Sequence, residues 1–459
     1  MNKLVFIVII IALIIAAFIL FLRFPKFLSS NRQKKINAPQ TSINADKTYQ
    51  IKLMSGCAED SSPTNYDKYG GWKKIRGQKT EFFHTEMIDG KWWLVTPDGY
   101  GFISKGVNAF GYQEGKEKEG IDILRGFGLN TIGAWSIAVR KNTLQEKIPY
   151  GFLLDLLKTY AFTQGIDVQD QKNFPDIFND DFEKSIYNTI EAQSESLREH
   201  LINDPYLIGW WTDNELRWPQ EKNHILDVYL RLSASAPGRM VAEKFLKEKF
   251  GAPILPKEAK QIEEARDGFI EIAVKQYAKI THDVIKKYDK NHLILGERLF
   301  FTPSAWKNTM PERMGGFEAI GRAVRGYFDI ISINSYFDEN PIVRLRKMYD
   351  QFQGPLLISE FNIQSSMKDQ GKRGEEEWLA KEKISVIGYK NQIPSFFAEP
   401  YIVGYHWFPY KNYLTAQENN HSAGLVDYYF KPREELLKTF KEVNSTLEIT
   451  HKCAQSTNF

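Results

Sequence analysis

Residues 206–215 read YLIGWWTDNE and residues 355–360 read PLLISE. Each is a short, nearly unbroken apolar run that closes on a glutamate. Runs of this kind, without polar alternation, suit strands buried on both faces, as in a parallel sheet. Outward from these two, six more follow the same pattern: GFISKGVN (101–108), GLNTIGAW (128–135), YGFLLDLL (150–157), HLILGER (292–298), FDIISINSY (328–336) and YIVGYHWF (401–408). The segments between them repeat apolar residues at helical steps. Phe182, Ile186, Ile190, Leu197 and Leu201 do so before YLIGWWTDNE, and Phe269, Ala273, Tyr277, Ile280 and Val284 before HLILGER. Eight strand–helix alternations predict an α/β fold, a closed (β/α)8 TIM barrel over about 65–447. Residues 219–268 exceed what one crossover needs and read as an insertion on the barrel rim. Ahead of the first run, TEMIDG and KWWLVTP flank Asp89-Gly90, a hairpin signal. Residues 448–459 read as a tail.

The composition narrows the function classes. Among 459 residues, 60 Lys and Arg stand against 57 Asp and Glu, so the totals carry no basic nucleic-acid footprint. With 8 His and no HExxH, a metalloenzyme is disfavoured. No serine elbow or Gly-rich phosphate loop stands in a strand–turn–helix setting. No cofactor is implied.

Barrel active sites gather at the carboxyl ends of the strands. The runs end in Asn108, Trp135, Asp213-Asn214-Glu215, Glu297-Arg298, Asn334/Tyr336, Glu360 and His406-Trp407. Asn108 and Trp135 are candidate substrate-binding residues on that ground. A glutamate ending a strand is often no more than a rim salt bridge. Glu215 and Glu360, after the fourth and seventh runs, would however face one mouth from opposite sides. Glycoside hydrolysis needs such a pair, one carboxyl to protonate the leaving oxygen and one to attack or to activate water. Trp210, Trp211 and Trp218 would give the acid an apolar surround that raises its pKa. Glu297-Arg298 reads as an internal ion pair at the rim, and Asp213 as structural.

YLIGWWTDNELRW, ISEFN and GYHWFPYKN resemble the acid/base, nucleophile and final-strand motifs of clan-A retaining glycoside hydrolases, with the nearest likeness to β-agarase-type enzymes. GKWWLVTPDGYGFISKGVN is similar to their entry segment, and SAGLVDYYFKPREELLKTFKEVN to their closing segment. The likeness runs from about 81 to about 445, with no dependable match in 219–290. It implies Glu215 as acid/base and Glu360 as nucleophile. It further implies Asn214 on the sugar 2-hydroxyl, Tyr336 hydrogen-bonded to the nucleophile, and Trp407 as sugar platform with His406 beside it. The implied partner is a β-linked polysaccharide or oligosaccharide. Two alternatives stay open: a catalytically silent carbohydrate-binding barrel, and the same chemistry on a β-galactoside, β-glucan or β-mannan.

Residues 4–22, LVFIVIIIALIIAAFILFL, are uninterrupted apolar. At about 1.5 Å per residue they span roughly 28 Å, near the hydrocarbon thickness of a bilayer. A cleaved signal has a shorter apolar region and a small-residue cleavage site, whereas Arg23-Phe24-Pro25-Lys26 follows here. Residues 1–23 are therefore expected to be a transmembrane anchor and 24–64, polar and without apolar periodicity, a tether. Arg23, Lys26, Arg32, Lys34 and Lys35 would place the following side in the cytoplasm. A polysaccharide substrate argues for the other side, and an extracytoplasmic barrel is expected. Whether Cys57 and Cys453 pair is open at this stage.

Overall fold

The computed structural model describes residues 65–455, apart from 114, 137–138, 140–145, 169–171, 194, 219–222, 302–315, 337–340, 364–374 and 413–422. A small antiparallel sheet comes first, from β1 (Trp72–Arg76), β2 (His84–Ile88), β3 (Lys91–Val95) and β4 (Tyr100–Phe102), in the order β1-β4-β3-β2. Asp89 and Gly90 join β2 to β3 with φ of 51° and 76°. Those are the left-handed values that a two-residue Asp-Gly turn needs to match the twist of its strands.

The second sheet is parallel throughout. Its strands are β5 (Ser104–Val107), β6 (Thr131–Ile132), β7 (Tyr150–Leu153), β8 (Leu207–Trp211), β9 (Leu293–Gly296), β10 (Leu299–Phe301), β11 (Ile331–Ser335), β12 (Leu356–Phe361) and β13 (Ile402–Trp407). They lie in the order β10-β11-β12-β13-β5-β6-β7-β8-β9. The two edges of this sheet belong to one stretch of chain, because only Glu297 and Arg298 separate β9 from β10. The Ile294 carbonyl on β9 also accepts the N–H groups of Asp329 and Ile330, which lead into β11, at 2.9 and 3.2 Å. The sheet thus curls round on itself in a (β/α)8-like α/β fold. The eight apolar runs each contribute, and the fifth is broken at Glu297-Arg298.

Helices cover the sheet: α1 (Glu117–Gly126), α2 (Leu156–Thr163), α3 (Asp180–Glu191), α4 (Glu195–Asn203), α5 (Ile225–Leu230), α6 (Pro237–Phe250), α7 (Ala259–Tyr288), α8 (Gly316–Val324), α9 (Ile342–Phe352), α10 (Glu375–Ala398), α11 (Glu434–Asn444) and α12 (Leu447–Cys453). α3 begins where Asn179 accepts from the Asp181 N–H, with Asp180, Asp181 and Glu183 in its first turn facing the positive end of the helix dipole. The residues at helical spacing from Phe182 to Leu201 fall on two helices, α3 and α4. The Arg198 guanidinium donates to the carbonyls of Glu191 and Gln193 at 2.9 and 3.3 Å, satisfying acceptors that a helix end leaves open. The rim insertion holds α5, α6 and the start of α7. Pro237 opens α6, and Gly251, at φ 82°, closes it in the left-handed form favoured for glycine.

The expected tail begins as a helix instead. In α12, Glu448 accepts from Lys105 on β5 at 2.6 Å, with both side chains buried. The His451 ring meets Trp93 edge-on at 4.7 Å, and Lys91 donates to the Ala454 carbonyl at 2.8 Å. A charge on β5 that cannot reach water recruits the end of the chain as its partner. Cys453 is disulfide-bonded, while Cys57, the chain's other cysteine, lies outside the described residues. The expected anchor and tether lie outside them as well. Among the described residues no helix is long and apolar enough to cross a membrane.

Removing one partner of a buried ion pair strands the other charge and typically costs about 3–5 kcal/mol. Glu448→Ala should lower unfolding free energy by that amount in a urea titration. A loss below about 1 kcal/mol would detach α12 from the cooperative unit.

Candidate active site

Backbone strain marks one end of the barrel. Ala109, Trp135, Asp155, Glu215 and Arg298 all have φ between 52° and 63°, a left-handed conformation unusual for residues with a side chain. They lie just beyond the carboxyl ends of β5, β6, β7, β8 and β9, five consecutive strands. Each such residue costs on the order of 1–3 kcal/mol, and clusters of them accompany functional sites. At Glu215 the turn lets the chain leave β8 while its carboxylate faces the sheet's axis.

Arg298 organises the side chains at this end. It is fully buried. Its Nη1 donates to Asn214 Oδ1 at 2.5 Å, and its Nη2 to Glu360 Oε2 at 2.8 Å. Nη2 also reaches the Ser359 carbonyl at 3.0 Å and Asn108 Oδ1 at 3.3 Å. The other Glu360 oxygen accepts from the Tyr336 phenol. Asn334 Nδ2 donates to Glu215 Oε1 at 2.8 Å and to Asn214 Oδ1 at 3.1 Å. The Ser359 hydroxyl fixes the orientation of that amide by donating to Asn334 Oδ1 at 2.8 Å. With Arg298, the residues Glu215, Glu360, Asn214, Tyr336 and Asn108 therefore occupy one hydrogen-bonded cluster drawn from five strands.

The two carboxylates sit in different fields. Burial raises the Glu215 pKa, the negative charge of Glu360 adds to that, and the Asn334 amide and Arg298 oppose it. Glu360 is ion-paired with Arg298. Burial and the Glu360 charge push the Tyr336 phenol well above its ordinary value, so it stays a hydrogen-bond donor. One proton-holding acid beside one ion-paired carboxylate is the arrangement that acid-assisted displacement requires.

Three expected substrate contacts do not reach the mouth. Trp407 is fully buried; its indole N–H donates to the Ala423 carbonyl at 2.8 Å and its ring meets Phe361 and Phe440 edge-on. It presents no exposed face as a sugar platform. Asn108 is buried too, and its Nδ2 donates to the Ser359 carbonyl at 2.9 Å, bracing β5 against β12. His406 lies beneath the cluster with Nε2 2.8 Å from the Ser104 hydroxyl. Gly106 makes room for it, since a Cβ there would stand 2.3 Å from the imidazole. Burial and the Arg298 charge push its pKa to about 3, leaving the ring neutral. Trp135 is partly exposed, with the Lys158 ammonium 5.9 Å from its ring centre.

The tryptophans after the fourth run divide. Trp211 points inward, donating to Ser332 Oγ at 2.9 Å, with the Arg298 guanidinium 5.4 Å from its ring. Trp210 turns outward, donating to Asp289 at the end of α7 at 2.8 Å, and so does not surround the acid. Trp218 donates to both oxygens of Glu297 at 3.1 and 3.0 Å. The expected Glu297–Arg298 pair is therefore not formed: Arg298 pairs with Glu360, and Glu297 faces Trp218. Asp213 accepts from the N–H groups of Leu157 and Lys158 at 2.9 and 3.1 Å and from the Tyr277 phenol at 2.7 Å, anchoring the start of α2.

With the geometry in place, sequence and fold comparisons point one way. The chain resembles β-agarases. It is 21% identical to beta-agarase B of Vibrio sp. (strain JT0107), with 92% of this chain and 54% of that protein aligned. It thus spans about half the length of the curated relative it matches. The fold is similar to that of BpGH50, with a TM-score of 0.67 and 20% identity over 84% of this chain and 87% of that one. It is similar also to an exo-beta-agarase, with a TM-score of 0.65 and 18% identity over 85% and 69% of the chains. The agarase AgWH50C gives 0.66 and 17% over 92% and 72%. No family model matches the chain.

Sequence reasoning underrated Arg298, Asn334 and Ser359. Ser359 and Glu360 are successive residues of β12, which strict alternation would send to opposite faces, yet both side chains serve the cluster where the strand's register shifts. Nothing in the sequence identifies their partners on β11 and beside β9.

Glu297 supplies a stability test. Burial pushes its carboxyl to about 8, while in the unfolded chain it titrates near an ordinary glutamate value of about 4.3. The folded state thus holds a proton that the unfolded state has lost between those values, and stability should fall as pH rises through that window. Each pKa unit is worth about 1.4 kcal/mol. Glu297→Gln should flatten the decline between about pH 5 and pH 8 in denaturant titrations. An unchanged slope would place the proton elsewhere.

Proposed function

We propose that this protein hydrolyses a β-linked, agarose-like polysaccharide or oligosaccharide by a retaining double displacement. The observation that carries the reading is the buried cluster in which Asn334 holds Glu215 while Arg298 and Tyr336 hold Glu360. Glu360 attacks the anomeric carbon, and Glu215 gives its proton to the departing oxygen. Water then attacks the glycosyl-enzyme as Glu215 takes a proton back. Asn214 spends its carbonyl oxygen on Arg298 and Asn334, so its amide nitrogen is left to donate to the sugar 2-hydroxyl. A silent binding barrel would have no use for a raised carboxylic acid beside an ion-paired carboxylate. Agarose as the substrate rests on the names of the similar proteins, and a panel of β-galactan, β-glucan and β-mannan oligosaccharides with mass spectrometry of products distinguishes the glycans.

In the same proposal residues 4–22 tether the barrel to a membrane, with the barrel on the extracytoplasmic side. Deleting residues 1–30 should release a folded, active protein from the membrane fraction; a truncated chain that stays there would remove the anchor from the proposal.

The roles of the carboxylates separate by substrate. Glu360→Ala should abolish turnover of every substrate, because no covalent intermediate forms. Glu215→Ala should keep its first step on a dinitrophenyl glycoside, whose leaving group needs no proton, while losing about 10²–10⁴-fold on natural glycans. Azide should rescue Glu215→Ala by attacking the glycosyl-enzyme and giving an azide product of retained configuration. In the parent enzyme the raised Glu215 pKa places the alkaline limb of kcat/KM above the ordinary carboxylate range, and Glu215→Ala should remove that limb. Equal losses on both substrates in both variants would overturn the assignment.

A further inference from the structure

Two cations on the segments around the acid have no carboxylate partner among the described residues. Lys158 stands in the first turn of α2, where Asp213 holds its backbone N–H at 3.1 Å. Its ammonium lies 5.9 Å from the centre of the partly exposed Trp135 ring, and its charge reaches Glu215. Arg217, exposed two residues beyond Glu215, sets its guanidinium 5.8 Å from the centre of the Phe300 ring. Phe300 in turn lies 6.4 Å from the ring of Tyr336, the donor to Glu360. Neither Lys158 nor Arg217 pairs with a carboxylate among the described residues. Some cations elsewhere on this chain pair locally, such as Lys118 with Asp122 and Lys279 with Asp283.

The positions follow the strand order. Trp135, Lys158 and Arg217 follow β6, β7 and β8, and Phe300 lies in β10, so the four group around β8, the strand that leads to Glu215. Under the glycosidase reading above, on which this inference rests, Glu215 protonates the leaving oxygen, so this side receives the leaving half of the glycan. We propose that it is a subsite for a sugar residue bearing an anionic substituent, sulfate or carboxylate, stacked on Trp135 and held by Lys158 and Arg217. A bare ammonium or guanidinium attracts either anion, and aromatic faces beside it take up the apolar side of the ring. Charges in a cleft also raise the local concentration of an oppositely charged substrate.

The test uses Glu360→Gln, which should bind without turning over, and three oligosaccharides on one β-galactan backbone: neutral, O-sulfated and oxidised to the uronic acid. By calorimetry an anionic form should bind at least tenfold tighter than the neutral one. Its advantage should fall between about 0.05 and about 0.5 M salt as the charges are screened. Lys158→Met with Arg217→Met should erase the advantage and leave the neutral affinity within about twofold. Whichever anionic arm binds tighter identifies the substituent. Equal or tighter binding of the neutral form, or an anionic advantage that survives both the salt and the double substitution, would overturn the subsite. If neutral oligosaccharides alone are bound and cleaved, the subsite falls and the glycosidase reading stands. If none is bound or cleaved, both fall. The salt dependence needs no substitution in the subsite, so a misfolded double variant cannot mask the answer.

Discussion

The Arg298 guanidinium is the constraint on which the mouth of this barrel depends. A fully buried cation must be paired and hydrogen-bonded, because leaving it alone in a low-dielectric interior costs several kcal/mol or more. Its nearest anion is Glu360, on the far side of the sheet's closure. A guanidinium is a rigid planar fork, so meeting that carboxylate also fixes where its other nitrogen points. That second nitrogen fixes Asn214, which is covalently next to Glu215. One side chain thereby sets the relation between two strands that are not neighbours in the sheet.

The same residue explains an irregularity in the fold. A continuous fifth strand would pass Glu297 and Arg298 through regular alternation. The chain instead breaks there, with Arg298 at φ 52°, and pairing with β11 begins at the next residue, Leu299 of β10. The turn is unfavourable for a side-chain-bearing residue, and the four hydrogen bonds made by the guanidinium offset it. Glu215 shows the same exchange on a neighbouring strand, where a left-handed turn is held by the Asn334 amide. Strain at this end is tolerated because the opposite end is firmly closed. There Lys105 and Glu448 pair, and the Tyr389 and Tyr405 phenols both donate to Asn444 Oδ1 at 2.8 Å.

The readable parts of the sequence were those governed by local pattern. Strands buried on both faces must be apolar along their length, so the runs ending at Glu215 and Glu360 announced themselves, as did the Asp89-Gly90 turn. What the pattern could not carry was partnership across the chain. Nothing near Glu448 says that Lys105, far earlier, needs a buried anion, so the helix that supplies it reads as a tail. The division between α3 and α4 depends on Arg198 folding back onto carbonyls that any helix end would expose. Trp407 shares its run's apolar character with every other core residue, and it is Phe361, Tyr389 and Phe440, from three other elements, that cover its ring. The Glu297–Arg298 dipeptide misleads for a related reason. Adjacent opposite charges suggest each other as partners, yet side chains of neighbouring residues diverge, and each found its partner elsewhere.

The asymmetry of the two glutamates follows from who surrounds them rather than from their own chemistry. Two carboxylates sharing one buried site cannot both hold a full charge cheaply, so a proton is retained on whichever has the weaker anion partners. Glu215 accepts from the neutral Asn334 amide, and the Arg298 and Lys158 charges act on it as well. Glu360 has the guanidinium itself and a phenol that burial keeps protonated. The surroundings therefore raise the pKa of the Glu215 carboxyl and hold Glu360 in an ion pair. Had the strand break fallen one residue earlier, placing Glu297 rather than Arg298 toward the cluster, a third carboxyl would have competed for that proton and no cation would have fixed the charge. Under the proposed mechanism, the division of labour between acid and nucleophile is thus set at the fifth strand, by a residue that neither donates the proton nor attacks.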